Sequence, residues 1–116
     1  MQEILLKAKI HMATVTDKSI NYMGSIGIDE ELLELSNIKP YELVMVADVN
    51  NGQRFLTYVI PESKKSRKIV INGAAARLVE KGDRVIIMAF GIFSPDEYTG
   101  PKVLIMNDDN TVASIK

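Results

Sequence analysis

The run Leu43-Val44-Met45-Val46-Ala47-Asp48-Val49-Asn50-Asn51-Gly52-Gln53-Arg54-Phe55-Leu56-Thr57-Tyr58-Val59-Ile60 decides the fold class. Leu43 to Val49 and Arg54 to Ile60 are rich in residues that suit strands. They are joined through Asn51-Gly52, a dipeptide that favours the type I′ turn of a hairpin. Because side chains alternate across a strand, Arg54, Leu56, Tyr58 and Ile60 share one face, and Phe55, Thr57 and Val59 the other. Arg54 and Tyr58 therefore point the same way, with an expected separation of about 7 Å along the strand. An arginine and a tyrosine so placed are ordinarily a surface pair, but they also suit a carboxylate fork beside a proton donor.

On the N-terminal side, Leu5 to Thr16 alternates as one long strand, with Leu6, Ala8, Ile10, Met12 and Thr14 on one face and Lys7, Lys9, His11, Ala13 and Val15 on the other. Asp17-Lys18-Ser19 has the composition of a turn. The next strand is expected over Ile20 to Ile28, where Ile20, Tyr22, Ile26 and Ile28 keep one parity and Gly24 interrupts it. A glycine inside a strand usually marks a bulge or a close backbone approach. Followed by Ser25, it also sets a hydroxyl beside an uncrowded carbonyl, which that hydroxyl can attack where the backbone is strained toward it. Asp29 is a good N-cap for a short helix through about Leu35, with Glu30 and Glu31 in its first turn and Ser36-Asn37 and Pro40 ending it.

On the C-terminal side, Pro61 to Lys68 is a polar loop carrying Lys64, Lys65, Arg67 and Lys68, the composition of a solvated loop. It lacks the interleaved aromatics of a single-strand nucleic-acid site. Ile69-Val70-Ile71 reads as a buried strand ending in Asn72-Gly73, after which Ala74-Ala75-Ala76 opens a short helix. That junction is a tight turn, and it also presents the backbone N–H groups of Gly73, Ala74 and Ala75 to an anion. Gly82-Asp83 turns the chain into a strand over Val85 to Phe93. Ser94-Pro95-Asp96-Glu97 has capping-box spacing, Lys102 to Met106 is a further strand, and Asn107 to Asn110 turns into a tail over Thr111 to Ile115. Six or seven strands with two or three short helices point to one mainly β domain, a small closed barrel without exposed edges.

The 116 residues suffice for one hydrophobic core, and 47% hydrophobic and 25% charged residues with a net charge of -1 are those of an ordinary globular chain with no bias toward polyanions. The absence of cysteine excludes disulfides, thiolate nucleophiles and cysteine-ligated metals. His11, the single histidine, excludes a histidine-rich metal site within one chain. No apolar run reaches the roughly 18 residues of a membrane-spanning helix, and Glu3, Lys7 and Lys9 do not suit a signal peptide, so a cytoplasmic location is expected.

Taken together, Lys9-Ile10-His11, Tyr22-Met23-Gly24-Ser25, Asn51-Gly52-Gln53-Arg54-Phe55, Thr57-Tyr58 and Asn72-Gly73-Ala74-Ala75-Ala76 resemble the pyruvoyl-dependent aspartate 1-decarboxylases. The resemblance runs through nearly the whole chain up to the last twenty or so residues. It implies a six-stranded double-psi β-barrel, a homotetramer with sites between subunits, and conversion of L-aspartate to β-alanine and carbon dioxide in the cytoplasmic pathway to pantothenate. Met12 stands where many members have arginine, Met23 where some have glutamate and Ala47 where some have tryptophan. Maturation is expected to be either spontaneous or assisted by an accessory protein.

The resemblance also assigns roles. Losing an α-carboxylate leaves a carbanion that needs an electron sink. Neither a metal nor pyridoxal phosphate is expected to supply it; the family uses a pyruvoyl group derived from Ser25. Ser25 Oγ attacks the Gly24 carbonyl, moving the acyl group from nitrogen to oxygen. Elimination then gives dehydroalanine, which hydrolyses with loss of ammonia to the pyruvoyl group. The products are a short chain 1–24 and a long chain 25–116. Thr57 assists the cleavage and contacts substrate, and the substrate amine forms a Schiff base at residue 25. Arg54 and Lys9 hold a carboxylate, Tyr58 is the proton donor, and Asn72 with Gly73, Ala74 and Ala75 orients the bound substrate; His11 and Tyr22 are further candidates. Two other readings are an uncleaved structural homologue and a non-enzymatic swapped-hairpin barrel that binds DNA through Lys64 to Lys68 and the Lys7, Lys9, His11 face.

Overall fold

The computed structural model describes residues 1–116 as nine strands, one α-helix and one 3-10 turn. In chain order these are β1 Glu3–Thr14, β2 Asp17–Ser19, β3 Ser25–Asp29, α1 Glu30–Ser36, β4 Leu43–Asp48, β5 Arg54–Glu62, β6 Ile69–Asn72, the 3-10 turn Gly73–Leu78, β7 Arg84–Phe93, β8 Lys102–Met106 and β9 Val112–Ile115. The strands form one sheet in the order β2-β6-β3-β5-β4-β7-β1-β8-β9. Parallel pairs β2·β6, β3·β5 and β1·β8 are mixed with antiparallel ones. Only Val15 and Thr16 separate β1 from β2, and Thr16 N donates to Ile69 O of β6 at 2.8 Å. The far end of the sheet is thus tied back toward β1, wrapping it around one core.

That core is a single cluster of 21 buried residues, including Ile10, Ile26, Ile28, Val44, Val59, Ile71, Ile87 and Leu104. The mainly β class expected from the sequence holds. The count is nine strands instead of six or seven, because β2 and β9 are short additions to the longer strands.

Four local departures have physical causes. β1 does not keep one parity: Ala8 and Ile10 are buried on one side of a bulge, and Ala13 and Val15 on the other. Met12 sits at the irregularity with φ 68°, and the Arg84 guanidinium donates to its carbonyl through Nε at 3.0 Å and Nη2 at 2.6 Å. An extra residue in one strand shifts every later side chain to the opposite face.

The expected strand over Ile20 to Ile28 is broken. Asp17-Lys18-Ser19 is β2 and not a turn, residues 20–24 form a loop, and β3 begins at Ser25. Ile20 and Tyr22 are exposed in that loop, so their alternation with Ile26 and Ile28 was not that of one strand. Lys18 holds β2 in place by donating through Nζ to Val79 O at 2.8 Å and Ala76 O at 3.3 Å, at the end of the 3-10 turn.

The hairpin is present, with Leu43 opposite Tyr58 and Ala47 opposite Arg54, but its connection is longer than a two-residue type I′ turn. Gly52 has φ 76°, whereas Asn51 lacks the positive φ that a type I′ turn requires at both central residues. Asp48 reshapes the loop: its carboxylate accepts from Asn50 N at 2.8 Å, and its carbonyl from Gly52 N at 2.8 Å. β5 also runs through Pro61 to Glu62, residues expected in the loop, because it pairs in parallel with β3 to the Asp29–Glu62 position.

The α1 boundaries follow the sequence. Asp29 accepts from Glu31 N at 2.8 Å and also from Lys65 N and Arg67 N, each at 2.8 Å. The basic loop is therefore pinned to the helix start, with Lys64 paired to Glu34 at 3.0 Å and Arg67 to Asp109 at 3.7 Å.

Candidate active site

β3 enters the barrel at Ser25, which is only 1% exposed, straight from the exposed loop ending in Gly24. The antiparallel β3–β6 register sets Ser25 opposite Asn72. Asn72 Nδ2 donates to Ser25 Oγ at 3.1 Å. Asn72 begins the 3-10 turn but makes no side-chain cap to it, leaving its amide for the serine. The only other partner of Ser25 Oγ is Met23 O at 3.5 Å, longer than an O–H···O bond of ordinary strength.

Ser25 opens onto a cavity of about 320 Å³ lined by Tyr22, Met23, Ser25, Tyr41, Tyr58 and Ile60. That volume lies in the range of roughly 300–1,000 Å³ that small-molecule sites occupy. Ile26 of β3 pairs with Val59 of β5, so Ser25 and Tyr58 lie one step back along the same parallel ladder. Tyr58 is 36% exposed and stacks on Tyr41, with ring centroids 6.1 Å apart and planes 19° apart. Tyr41 has φ 68° and donates its N–H to Val59 O at 2.7 Å, which fixes its ring over Tyr58. A second cavity of equal volume, between Asp29, Leu32, Arg67 and Asn110, holds none of these residues.

The structure thus brings together Ser25, Gly24, Asn72, Tyr58 and Tyr22. Thr57, half-buried beside Tyr58 on the inward parity of β5, does not line the cavity and makes no hydrogen bond to Ser25. Gly73, Ala74 and Ala75 follow Asn72 in the 3-10 turn, where the first N–H groups have no partner within the turn. Sequence reasoning missed Tyr41, Met23 and Ile60 as lining residues. Tyr41 next to Pro40, exposed ahead of a strand, was the available signal.

The room at the Gly24-Ser25 peptide comes from another place than expected. A Cβ added to Gly24 would meet nothing within 4 Å, whereas Gly73, with φ 78°, lies directly against the Gly24 backbone.

Arg54 and Lys9 are not in this cavity. Four residues of strand span about 13 Å, so the 7 Å expected between Arg54 and Tyr58 was too short. Across the sheet, the registers align Tyr58 with Leu43, Leu56 with Met45, Met88 and Lys9, and Arg54 with Ala47 and Ile86. These residues lie on the outward parity of β5, β4, β7 and β1. Leu43, Leu56 and Phe90 are strongly exposed there, forming an apolar outer face with Arg54 and Lys9 toward its sides. His11 is on β1 two residues beyond Lys9. Its burial, with help from the positive charges of Lys9 and Arg84, holds its pKa below the ordinary imidazole value. His11 Nδ1 is buried with no hydrogen-bond partner.

The mainly β barrel thus sets a buried serine hydroxyl against a small cavity, with an amide donor and a phenol beside it. The model of the aspartate decarboxylase family matches residues 1–113, reaching well into the stretch where the resemblance was expected to fade. An aspartate 1-decarboxylase of Thermosipho melanesiensis is 81% identical over 100% of this chain and 98% of its own length. Those of Thermosipho africanus, 76% identical over 100% and 97%, and Fervidobacterium nodosum, 72% identical over 100% of both, are similar along the whole length as well. The chain belongs to the aspartate decarboxylase family. The computationally designed protein msDPBB_sym2 overlaps 77% of this chain and 99% of its own at TM-score 0.46 and 23% identity. No helix is long and apolar enough to cross a membrane.

Proposed function

We propose that this chain removes the α-carboxylate of L-aspartate to give β-alanine and carbon dioxide, in the cytoplasmic route to pantothenate, with a pyruvoyl group made from its own Ser25. The observation that carries this reading is the buried Ser25 hydroxyl, held by Asn72 and opening with Tyr58 onto one cavity at the end of an exposed loop. A hydroxyl held in place beside the peptide bond that precedes it suits an acyl shift from nitrogen to oxygen.

In the maturation, Ser25 Oγ bonds to the Gly24 carbonyl carbon, the Gly24–Ser25 C–N bond breaks, and the hydroxyl proton passes to the freed amine. Loss of the Ser25 Cα proton then expels the Gly24 carboxylate, giving chain 1–24 and a chain 25–116 that begins with dehydroalanine, whose imine tautomer takes up water and releases ammonia to leave the pyruvoyl ketone. The residue-25 end remains held by β3 pairing on both sides, to β5 and β6, while residues 20–24 become a free end on the exposed side. Thr57 is assigned to the developing oxyanion by family resemblance alone.

A pyruvoyl carbonyl supplies the electron sink that decarboxylation needs. The residues of this chain do the rest. The Tyr58 phenol, oriented by its stack on Tyr41, delivers the proton to the substrate carbon. Asn72 and the Gly73, Ala74 and Ala75 backbone orient the substrate, and Tyr22 and Met23 line the cavity that admits it. Arg54, with Lys9 beside the same face, pairs with the side-chain carboxylate.

Because Arg54 and Lys9 lie on the outer face and not around Ser25, the complete site is proposed to form between copies, in a homotetramer. The exposed Leu43, Leu56 and Phe90 favour burying that face against a neighbour. The aspartate-dependent release of carbon dioxide and β-alanine by the matured protein tests the reaction, and sedimentation tests the assembly. The proposal expects turnover by tetramers and none by Ser25→Ala. Full activity in a stable monomer, or in Ser25→Ala, contradicts it.

A further inference from the structure

The tight glycine of this site is Gly73 and not Gly24. With φ 78°, Gly73 points its missing side chain at the loop that precedes Ser25. A Cβ there would lie 2.6 Å from Gly24 Cα, 2.8 Å from Gly24 N and 3.2 Å from Tyr22 O. All three are backbone atoms, so no side-chain rotation relieves the overlap and the loop itself must move. Gly73 is also held from the other side: Asn72, its neighbour, is paired with Ser25 and donates to Ser25 Oγ at 3.1 Å. Residues 72 and 73 therefore grip both sides of one peptide bond, Asn72 the attacking hydroxyl and Gly73 the backbone that carries the attacked carbonyl.

We propose that Gly73 is the positioning residue for chain cleavage, the flat seat that sets the Gly24 carbonyl within reach of Ser25 Oγ. The inference rests on the cleavage between Gly24 and Ser25 proposed above. Gly73 takes no part in bond making. It acts by fixing the acyl residue, and a side chain at 73 displaces the 22–24 loop while leaving β3 and β6 paired. Misplacement of reacting atoms by about 1 Å is enough to cost roughly a hundredfold in rate.

Gly52 supplies a matched control. Its φ of 76° is nearly that of Gly73, yet a Cβ at Gly52 would meet nothing within 4 Å. Gly52→Ala thus carries the backbone strain of a left-handed alanine without the overlap. Conversely, Gly73→Asn keeps the overlap with less strain, since asparagine tolerates that conformation better than alanine.

The test follows splitting by intact mass in freshly translated precursor, with the same cell extract added to every sample, for wild type, Gly73→Ala, Gly73→Asn and Gly52→Ala. Melting temperature and circular dichroism are measured in parallel. The proposal expects both Gly73 variants to fold and to split at least tenfold more slowly than wild type, while Gly52→Ala splits at the wild-type rate. Wild-type splitting in a folded Gly73→Asn, or slowing in Gly52→Ala as great as in Gly73→Ala, overturns it. Failure of both Gly73 variants to fold also overturns it, because the role is then that of a general packing position. A wild-type chain that never splits defeats the cleavage reading itself, whereas a splitting wild type with equally fast Gly73 variants defeats the role of Gly73 alone.

Discussion

Removing the amide that holds Ser25 separates positioning from stability. Asn72 is 5% exposed and its Nδ2 is the one well-placed partner of Ser25 Oγ, at 3.1 Å. In Asn72→Ala the hydroxyl is left buried with Met23 O at 3.5 Å as its sole neighbour. Leaving a buried polar group without a partner costs about 1–3 kcal/mol. At about 2.1 cal/mol/K per residue of unfolding entropy, that is a fall of about 4–12 °C in melting temperature for a chain of this length. The same change removes the amide that orients the attacking hydroxyl, and misplacing reacting atoms by about 1 Å costs roughly a hundredfold in rate.

Asn110→Ala is the contrasting variant. Asn110 is equally buried and makes three hydrogen bonds, accepting from Thr14 N at 2.7 Å and donating to Thr14 O and Arg67 O at 2.9 Å each, away from Ser25. Its loss should lower the melting temperature by at least as much while leaving splitting at the wild-type rate below the transition. Thermal unfolding and a mass time course read both quantities. Equal splitting in Asn72→Ala and wild type, or slowing in Asn110→Ala to match Asn72→Ala, refutes the reasoning.

Further expectations concern the same geometry. Tyr58→Phe keeps the ring that stacks on Tyr41 and loses only the proton donor, so it should split normally yet lose at least a hundredfold in kcat; unchanged kcat removes Tyr58 from the proton transfer. Arg54→Ala should leave splitting intact and weaken aspartate use, and mixing it with Ser25→Ala chains before assembly should restore part of the activity if the two residues act from different copies. No restoration counts against a shared site. Asp48, buried beside Asp83, is pushed up to about 6 by burial and that neighbour, while Asp83 is held below the usual range. Asp48 Oδ2 is buried with no hydrogen-bond partner. Because the folded pKa of Asp48 lies above its unfolded value, its contribution to stability is present below about pH 4 and is lost as pH rises through about 6. Asp48→Asn should therefore gain in melting temperature relative to wild type as pH rises through that window, and a pH-independent difference would contradict the linkage.

Much of the fold was legible because alternation survives wherever one face is buried. The strands near Leu43–Asp48, Arg54–Glu62 and Arg84–Phe93, and the Asp29 cap, lie close to where pattern and propensity set them. What was hidden depends on contacts distant in sequence. The Met12 bulge is fixed by Arg84, the hairpin loop by the Asp48 side chain, and the break at Gly24 by pairing of β2 with β6 instead of with an extension of β3. The site was legible in its residue types and not in its geometry. Ser25, Asn72 and Tyr58 converge, but Arg54 and Lys9 share an outer face, and the close packing belongs to Gly73, whose neighbour in space is nearly fifty residues earlier in the chain.

The central claim is that the chain cuts itself at one peptide bond and converts the serine behind that bond into a carbonyl. Intact mass of the purified protein, with and without incubation in cell extract, tests this most directly. The account predicts two fragments, 1–24 and 25–116, the longer one reacting with a carbonyl-specific hydrazine and lacking a free α-amine at residue 25. A single unsplit chain under every condition, or a split with an ordinary serine left at position 25, would contradict it.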